Sequence, residues 1–590
     1  MLTNPIQFYT NTKAELEKEA TVLKTKSARL STFRFAVFLG ISFLIYSFLG
    51  VYPLVFIITF FGTLFFAFLI SKQNTLKIKR SIVAKKIKIN TTEIRVLNRD
   101  FHHLGTGASF INPAHFYSND IDLFGKGSFF QYLNRTKTND GKAFLANTLT
   151  ENKTTSILEK QKALKELSNK VIWRQHFTAL ASLISVKNTS NAIVNWISSY
   201  VAVLPKHVRK IQIIFSIISL VLIALFSFGF ISFTYVIIWF FIGLFIIGRF
   251  FKKTQNLYTE ADNVREIFQQ YYPLLNEIEN TVFTSEILKE KQQIITSEDK
   301  KAGVIFQEFA KVLDAFDQRN NIVISVIGNG LFLSEIYNAS KVEKWISRYQ
   351  HIVEKWFHVV AFFDAENSLA NFHFNHPKFI FPEITSEKKV ITAAALGHPL
   401  LKNENRIDNN FIINKEEFFI VTGANMAGKS TFLRTVSLSI VMANCGLPVC
   451  ATSFKYAPIK LITSMRTADS LTEDESYFYS ELKRLKFIID EIKETDYFII
   501  LDEILKGTNS KDKAIGSKKF VEKLSNTKST GIIATHDVSL CALENEFIDI
   551  KNYYFDAEIV NNELYFDYIL KNGVCKNMNA SFLLEKMEIV

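Results

Sequence analysis

Two stretches constrain this chain before anything else does: no Asp, Glu, Lys or Arg occurs from Phe35 to Ser71 or from Ile211 to Gly248. A bilayer core about 30 Å thick is crossed by about 20 apolar residues in helical form, so each run is long enough for two crossings. Turn signals at Val51-Tyr52-Pro53 and Ser232-Phe233-Thr234 divide the runs, which predicts two transmembrane helical hairpins. A buried helix of a soluble core is the competing reading, but such helices seldom exceed about 25 residues without a charge.

The formal charge of +12 would suit a nucleic-acid surface, yet its placement argues otherwise. Lys72, Lys77, Lys79, Arg80, Lys85, Lys86 and Lys88 follow the first run without an intervening acid, and Lys206, Arg209, Lys210, Arg249, Lys252 and Lys253 flank the second. These cations alone match the excess, so net charge speaks for membrane flanks and hardly at all for DNA. The tight turns carry none, which by the positive-inside tendency predicts a multi-pass inner-membrane protein with both termini and all long segments in the cytoplasm. The first apolar run starts too late and runs too long for a signal peptide. No ionisable group lies within the spans, which argues against an ion path through them. Cys445, Cys450, Cys541 and Cys575 have no metal-ligand or disulfide spacing and read as packing thiols of a reducing compartment.

The organisation follows. Residues 1–34 read as a cytoplasmic helix, 35–71 as the first hairpin, 72–98 as a basic helix, 99–210 and 249–389 as two parts of a helical body, and 211–248 as the second hairpin. NIVISVIGNGLFL, within the second helical part, has the texture of a strand. From residue 390 to 590 short β-like runs alternate with helical ones, the pattern of an α/β domain.

That α/β segment holds the chemistry. GANMAGKST, from Gly423 to Thr431, lies between the strand-like FFIV and a helix-like run, and fits the phosphate loop G-x-x-x-x-G-K-[ST]. The amides of Gly423, Ala424, Asn425, Met426, Ala427, Gly428 and Thr431 would surround phosphate oxygens, Lys429 would add a point charge, and Ser430 a ligand for Mg2+. YFIILDE ends in Asp502 and Glu503, suited to hold Mg2+ and to polarise the attacking water. GIIATHD ends in His536, where a γ-phosphate contact could sit. A lone DE or a lone His would more often be structural; in this order they predict an Mg2+-dependent ATPase.

The same parts resemble those of the ATP-binding-cassette superfamily, which beside membrane helices first suggests a transporter. No L-S-G-G-Q signature precedes the acidic strand, however, and four apolar spans make a poor translocation path. The likeness is closer to the MutS family of DNA mismatch-repair ATPases. Asn425-Met426 reproduces that family's N-M pair, with Ala424 in place of Pro, and DEILKGTNS, containing Gly507, Thr508 and Asn509, is similar to its D-E-x-x-x-G-T-[ST]. Between them, Asp469, Leu471, Ser476, Phe478 and Glu481 fall on positions of the family's signature loop and helix. LFGKGSFFQYLNRTKTNDGKAFLANTL and WFHVVAFFDAENSLANF resemble its core and pre-ATPase segments.

By that resemblance the fold is a C-terminal α/β P-loop ATPase domain plus an all-α lever and core domain, here interrupted by two transmembrane hairpins. The resemblance also implies a homodimer in which Ser476 reaches the γ-phosphate of the opposite subunit. The departures bear on function. F-x-E, the mismatch-reading pattern, occurs at Phe306, Phe381 and Phe520, none following a domain of suitable size. Asp474 and Lys513 replace family glycines. The expectation is a membrane-anchored, ATP-driven dimeric switch acting on double-stranded DNA in repair, recombination or chromosome handling. A membrane scaffold switched by ATP for an unidentified protein partner is the alternative, and a transporter a third.

Overall fold

The computed structural model describes residues 4–183, 190–205, 207–296, 300–317, 322–466, 477–506, 508–560 and 563–576. Each apolar run forms helix on both sides of one short turn. α1 (Pro5–Ser47) starts with Pro5 at its first position and with the Asn4 side chain accepting from the Ile6 amide. This is the expected chemistry of a helix start. α2 (Tyr52–Leu97) runs back along it. After α3 (Phe129–Leu133), α4 (Asn139–Thr150), α5 (Ile157–Asn169), α6 (Val171–Ala181) and α7 (Ser190–Ser199) come α8 (Val208–Ser227) and α9 (Phe233–Glu279). Among the described residues α1, α2, α8 and α9 are the helices long and apolar enough to cross a membrane. The changes in composition near residues 34, 71 and 248 fall inside α1, α2 and α9, not at helix ends. The helices pass from apolar to charged sequence without a break.

The helical body continues with α10 (Glu286–Thr296), α11 (Ala302–Asp317), α12 (Ile322–Phe332), α13 (Ser334–Tyr349) and α14 (Val353–Asn375). α14 is its axis: every residue from Val359 to Ala370 is buried. Among them Asp364 accepts from the Lys137 and Thr138 amides at 3.0 and 2.8 Å and from the Thr138 hydroxyl at 2.8 Å. Gly141, the glycine of the T-x-T-x-x-G pattern, is required there because a Cβ would stand 2.4 Å from the Asp364 carboxylate.

α12 corrects the strand reading of NIVISVIGNGLFL: Ile322–Phe332 is helical. A short apolar run rich in β-branched residues cannot be told from a packed helix by periodicity, and here two glycines decide the matter. A Cβ on Gly243 of α9 would lie 2.2 Å from the Gly330 carbonyl oxygen, and one on Gly330 would lie 2.2 Å from the Phe240 ring. Small residues allow that close approach.

The C-terminal domain carries two main sheets among the described residues. The smaller has the order β1 (Glu383–Ile384), β5 (Ser453–Tyr456), β2 (Lys389–Leu396), β3 (Asn409–Asn414). The larger runs β12 (Leu570–Asn572), β9 (Ile550–Phe555), β4 (Phe418–Gly423), β8 (Thr530–Ala534), β7 (Tyr497–Asp502), β6 (Lys460–Ser464). All its strands are parallel except the edge strand β12. β10 (Glu558–Val560) and β11 (Glu563–Tyr565) form a separate hairpin. β4, β7 and β8 are unbroken apolar runs because helices α15 (Lys429–Asn444), α16 (Tyr477–Glu491) and α17 (Ser510–Ser525) cover the sheet.

Candidate nucleotide site

In an open parallel sheet, ligands bind at the carboxyl ends of the strands, where loops lead into helices. Register brings three such ends together here. Val421 of β4 and Asp502 of β7 both pair with Ala534 of β8, so the loops after these strands share one edge, with β8 in the middle. The phosphate loop follows β4, the two carboxylates end β7, and His536 follows β8.

The loop bends as a phosphate cradle must. Met426 and Gly428 have φ of 64° and 104°, a curl that turns successive amides toward one centre. α15 then begins at Lys429, adding the positive end of its dipole. Lys429 is buried, its ammonium donating to the carbonyls of Gly423 and Ala424 at 2.8 and 3.0 Å. Burial lowers its pKa, against the opposing pull of Asp502 and Glu503. Ser430 Oγ donates to Asp502 Oδ2 at 2.7 Å. Among the described residues no cluster of three or more His, Cys, Asp or Glu side chains could hold a metal. A hydroxyl beside one carboxylate instead fits Mg2+, which keeps several waters and takes its remaining ligands from substrate phosphates.

Glu503 sits at φ 55°, an uncommon conformation for a residue with a side chain. Its Oε1 lies 3.3 Å from His536 Nε2, and its Oε2 3.5 Å from Lys506 Nζ. The same His536 nitrogen is 3.3 Å from Lys429 Nζ. Burial and the Lys429 ammonium push the imidazole pKa down, with Glu503 and Asp502 pulling it up, and the net shift is downward. A neutral imidazole has one donor and one acceptor, so Nε2 either donates to Glu503 or accepts from Lys429. The ring thus links cradle and carboxylate through one atom.

All nine residues of the loop, together with Asp502, Glu503 and His536, meet at this edge. Ser476 lies outside the described residues, as do Asp469, Leu471, Asp474 and Gly507. Glu481, buried, accepts from the Leu505 and Lys506 amides and so fixes the turn directly after Glu503. Two features escaped the motif search. Tyr568 lies against the loop: a Cβ on Gly428 would be 3.0 Å from its ring. Asp120 and Asp122 reach the domain from the helical body. Asp120 accepts from Thr463 and the Arg466 amide, and Asp122 pairs bidentately with Arg466 at 2.6 and 2.7 Å. Single polar residues in a turn-rich segment have no spacing to betray them; only the aromatic Tyr568, just before the last strand, offered a signal.

A parallel sheet with a phosphate loop after one strand and acidic and histidine ends on its neighbours defines the C-terminal part as a P-loop nucleotide-binding domain. Residues 419–585 match the family model described as MutS domain V, the likeness that the N-M pair and the D-E-x-x-x-G-T segment suggested. The chain is 29% identical to MutS protein homolog 4 of Mus musculus over 194 residues, which is 31% of this chain and 20% of that protein. It is 27% identical to the DNA mismatch repair protein MutS of Methanosarcina barkeri over 298 residues, 48% of this chain and 29% of that one. Against the DNA mismatch repair protein MutS of Aquifex pyrophilus the figures are 33% over 189 residues, 30% of this chain and 21% of the other. The matches thus span under a third of the length of these relatives.

Proposed function

We propose that the protein is a membrane-anchored ATPase of MutS type, in which ATP binding and hydrolysis drive a conformational switch. The observation that carries the reading is the convergence of Lys429, Ser430, Asp502, Glu503 and His536 on one sheet edge, with Ser430 and Asp502 in direct contact. In this reading the loop amides and Lys429 hold the phosphates, and Lys429 leaves its two carbonyl partners to do so. Ser430 and Asp502 hold Mg2+, which neutralises phosphate charge when bound. Glu503 accepts a proton from the attacking water, and His536, which orients that carboxylate before nucleotide binds, turns its one N–H from Glu503 toward the terminal phosphate. Ser476 of a second copy completes the site in a homodimer. α1, α2, α8 and α9 anchor the body in the inner membrane, with the nucleotide domain on the cytoplasmic side.

Glu503→Gln keeps the shape of the side chain and removes the base. It is expected to leave ATP binding intact while lowering turnover by about a hundredfold or more. Hydrolysis by this variant at the parent rate would remove Glu503 from the role.

Two of these relatives are named for DNA mismatch repair, and we infer double-stranded DNA as the substrate on which the switch acts. Salt decides this: counterion release makes phosphate binding fall steeply as salt rises. ATPase activity of the detergent-solubilised protein is expected to respond to duplex, mismatched or branched DNA, and to lose that response at high salt. A protein-scaffold reading is favoured by one observation, that the cations beside the apolar runs account for the whole formal excess. A flat response to every DNA would select it.

A further inference from the structure

A polar cavity lined by none of the phosphate-loop residues lies where α2 meets the helical body. Its volume is about 310 Å³, at the lower end of the range for small-molecule sites. Lys85, Lys88 and Glu93 come from α2, Arg135 and Lys137 from the link between α3 and α4, Arg174 from α6 and Asn367 from α14. Five cations therefore face one carboxylate.

That carboxylate is already taken. Arg135 donates to Glu93 from Nε at 2.5 Å and from a terminal nitrogen at 3.3 Å, and Asn375 donates to it at 2.8 Å. Arg174 is only 3% exposed. It donates to the Leu167 carbonyl at 2.8 Å and to Asn371 at 2.9 Å, and it forms no salt bridge among the described residues. Glu93, the carboxylate that acts on it, is already held by Arg135, and a buried guanidinium so weakly balanced is costly. Beside it Asn367, 4% exposed, has neither amide oxygen nor amide nitrogen in a hydrogen bond, although buried side-chain amides are nearly always satisfied. Lys88 and Lys137 are exposed at the rim and Lys85 is half-buried. None of the three forms a salt bridge among the described residues. The floor thus offers guanidinium and amide groups, and the rim three ammonium groups, all oriented on one space.

The lining contains no aromatic ring on which a base could stack. We propose that this cavity is a binding site for a small soluble polyanion bearing two or more phosphate groups. Arg174 and Asn367 take one phosphate at the floor, and Lys85, Lys88 and Lys137 close over the other. A lipid headgroup shares that chemistry but comes from the wrong place. α2 is unbroken from Tyr52 to Leu97, and at 1.5 Å per residue Lys88 lies about 26 Å along the helix from Ser71, the end of the charge-free run. Bound there, the anion ties α2 to α6 and α14, so the site stands at the joint between the anchoring helices and the body.

The test is titration of the full-length, detergent-solubilised protein with inorganic pyrophosphate by calorimetry. The Lys429→Ala background keeps the phosphate loop from contributing. Saturable binding tighter than about 1 mM is expected. The rim double variant Lys88→Glu, Lys137→Glu changes only exposed side chains and is expected to weaken it by about tenfold or more, with the unfolding midpoint unchanged. Asn367→Leu is the floor variant, expected to weaken binding likewise. Absence of saturable binding, or equal binding in the rim variant, would overturn the proposal. In nanodiscs, adding an anionic phospholipid is expected to leave pyrophosphate binding unchanged; competition by the lipid would overturn the soluble source, and competition by duplex DNA would assign the surface to nucleic acid instead.

Discussion

His376 is held from both sides: its Nδ1 is 2.8 Å from the Phe372 carbonyl, and its Nε2 2.8 Å from the Tyr132 hydroxyl. The carbonyl can only accept, so Nδ1 carries the proton and Nε2 accepts from tyrosine. Burial above all pushes this imidazole down to about 4, and burial does the same to His398 near Arg434 and Arg99. In the unfolded chain each would take up a proton near pH 6.5. The stability both contribute is therefore complete above that pH and drains away as pH falls toward 4, by at most about 3 kcal/mol per imidazole. Unfolding midpoints at pH 7 and pH 5 check this, and His376→Gln is expected to show the smaller drop. At this scale the sequence revealed residues that end strands, since a motif fixes their place relative to a backbone turn. It could not reveal Asp122, whose partner Arg466 is hundreds of positions away, or the pair Arg174 and Asn367, which no motif links.

Among the elements, α12 is the one whose character sequence misjudged. Its apolar run has the texture of a strand, yet its Gly330 is a contact point for α9. This yields a controlled comparison within one helix. Gly243→Leu would drive a side chain into the Gly330 carbonyl, whereas Gly248 has nothing within 4 Å of its Cβ position. Overpacking costs about 1–3 kcal/mol or more, so Gly243→Leu is expected to lower the unfolding midpoint of the solubilised protein and Gly248→Leu to leave it unchanged. The long helices were legible because absence of charge is a strong signal. Their ends were not, because charged residues continue a helix as readily as apolar ones do.

In the molecule as a whole, the helical body and the nucleotide domain are joined by more than the chain. Asn152 exchanges hydrogen bonds of 2.9 Å with the backbone of Leu461, Arg484 donates to the His115 and Phe116 carbonyls, and Asp122 holds both Arg466 and Arg434. Arg466 is exposed enough for a protease to reach once released. Asp122→Asn is expected to change global stability by less than about 1 kcal/mol and to speed tryptic cleavage after Arg466, read by mass spectrometry. Such joints are illegible in sequence because they depend on how two separately patterned halves dock. α9 has the largest reach of all. Its 47 residues form one helix from apolar sequence to Glu279, with Pro273 inside its last turns and Tyr271, just before that proline, bonded to Asp140 at 2.5 Å. At 1.5 Å per residue the stretch before that proline is a rod of about 60 Å. In the membrane-anchored form proposed above, a change of about five degrees in its tilt would swing its far end by about 5 Å, and the thickness of the surrounding lipid would then act as a mechanical input to the body of the protein.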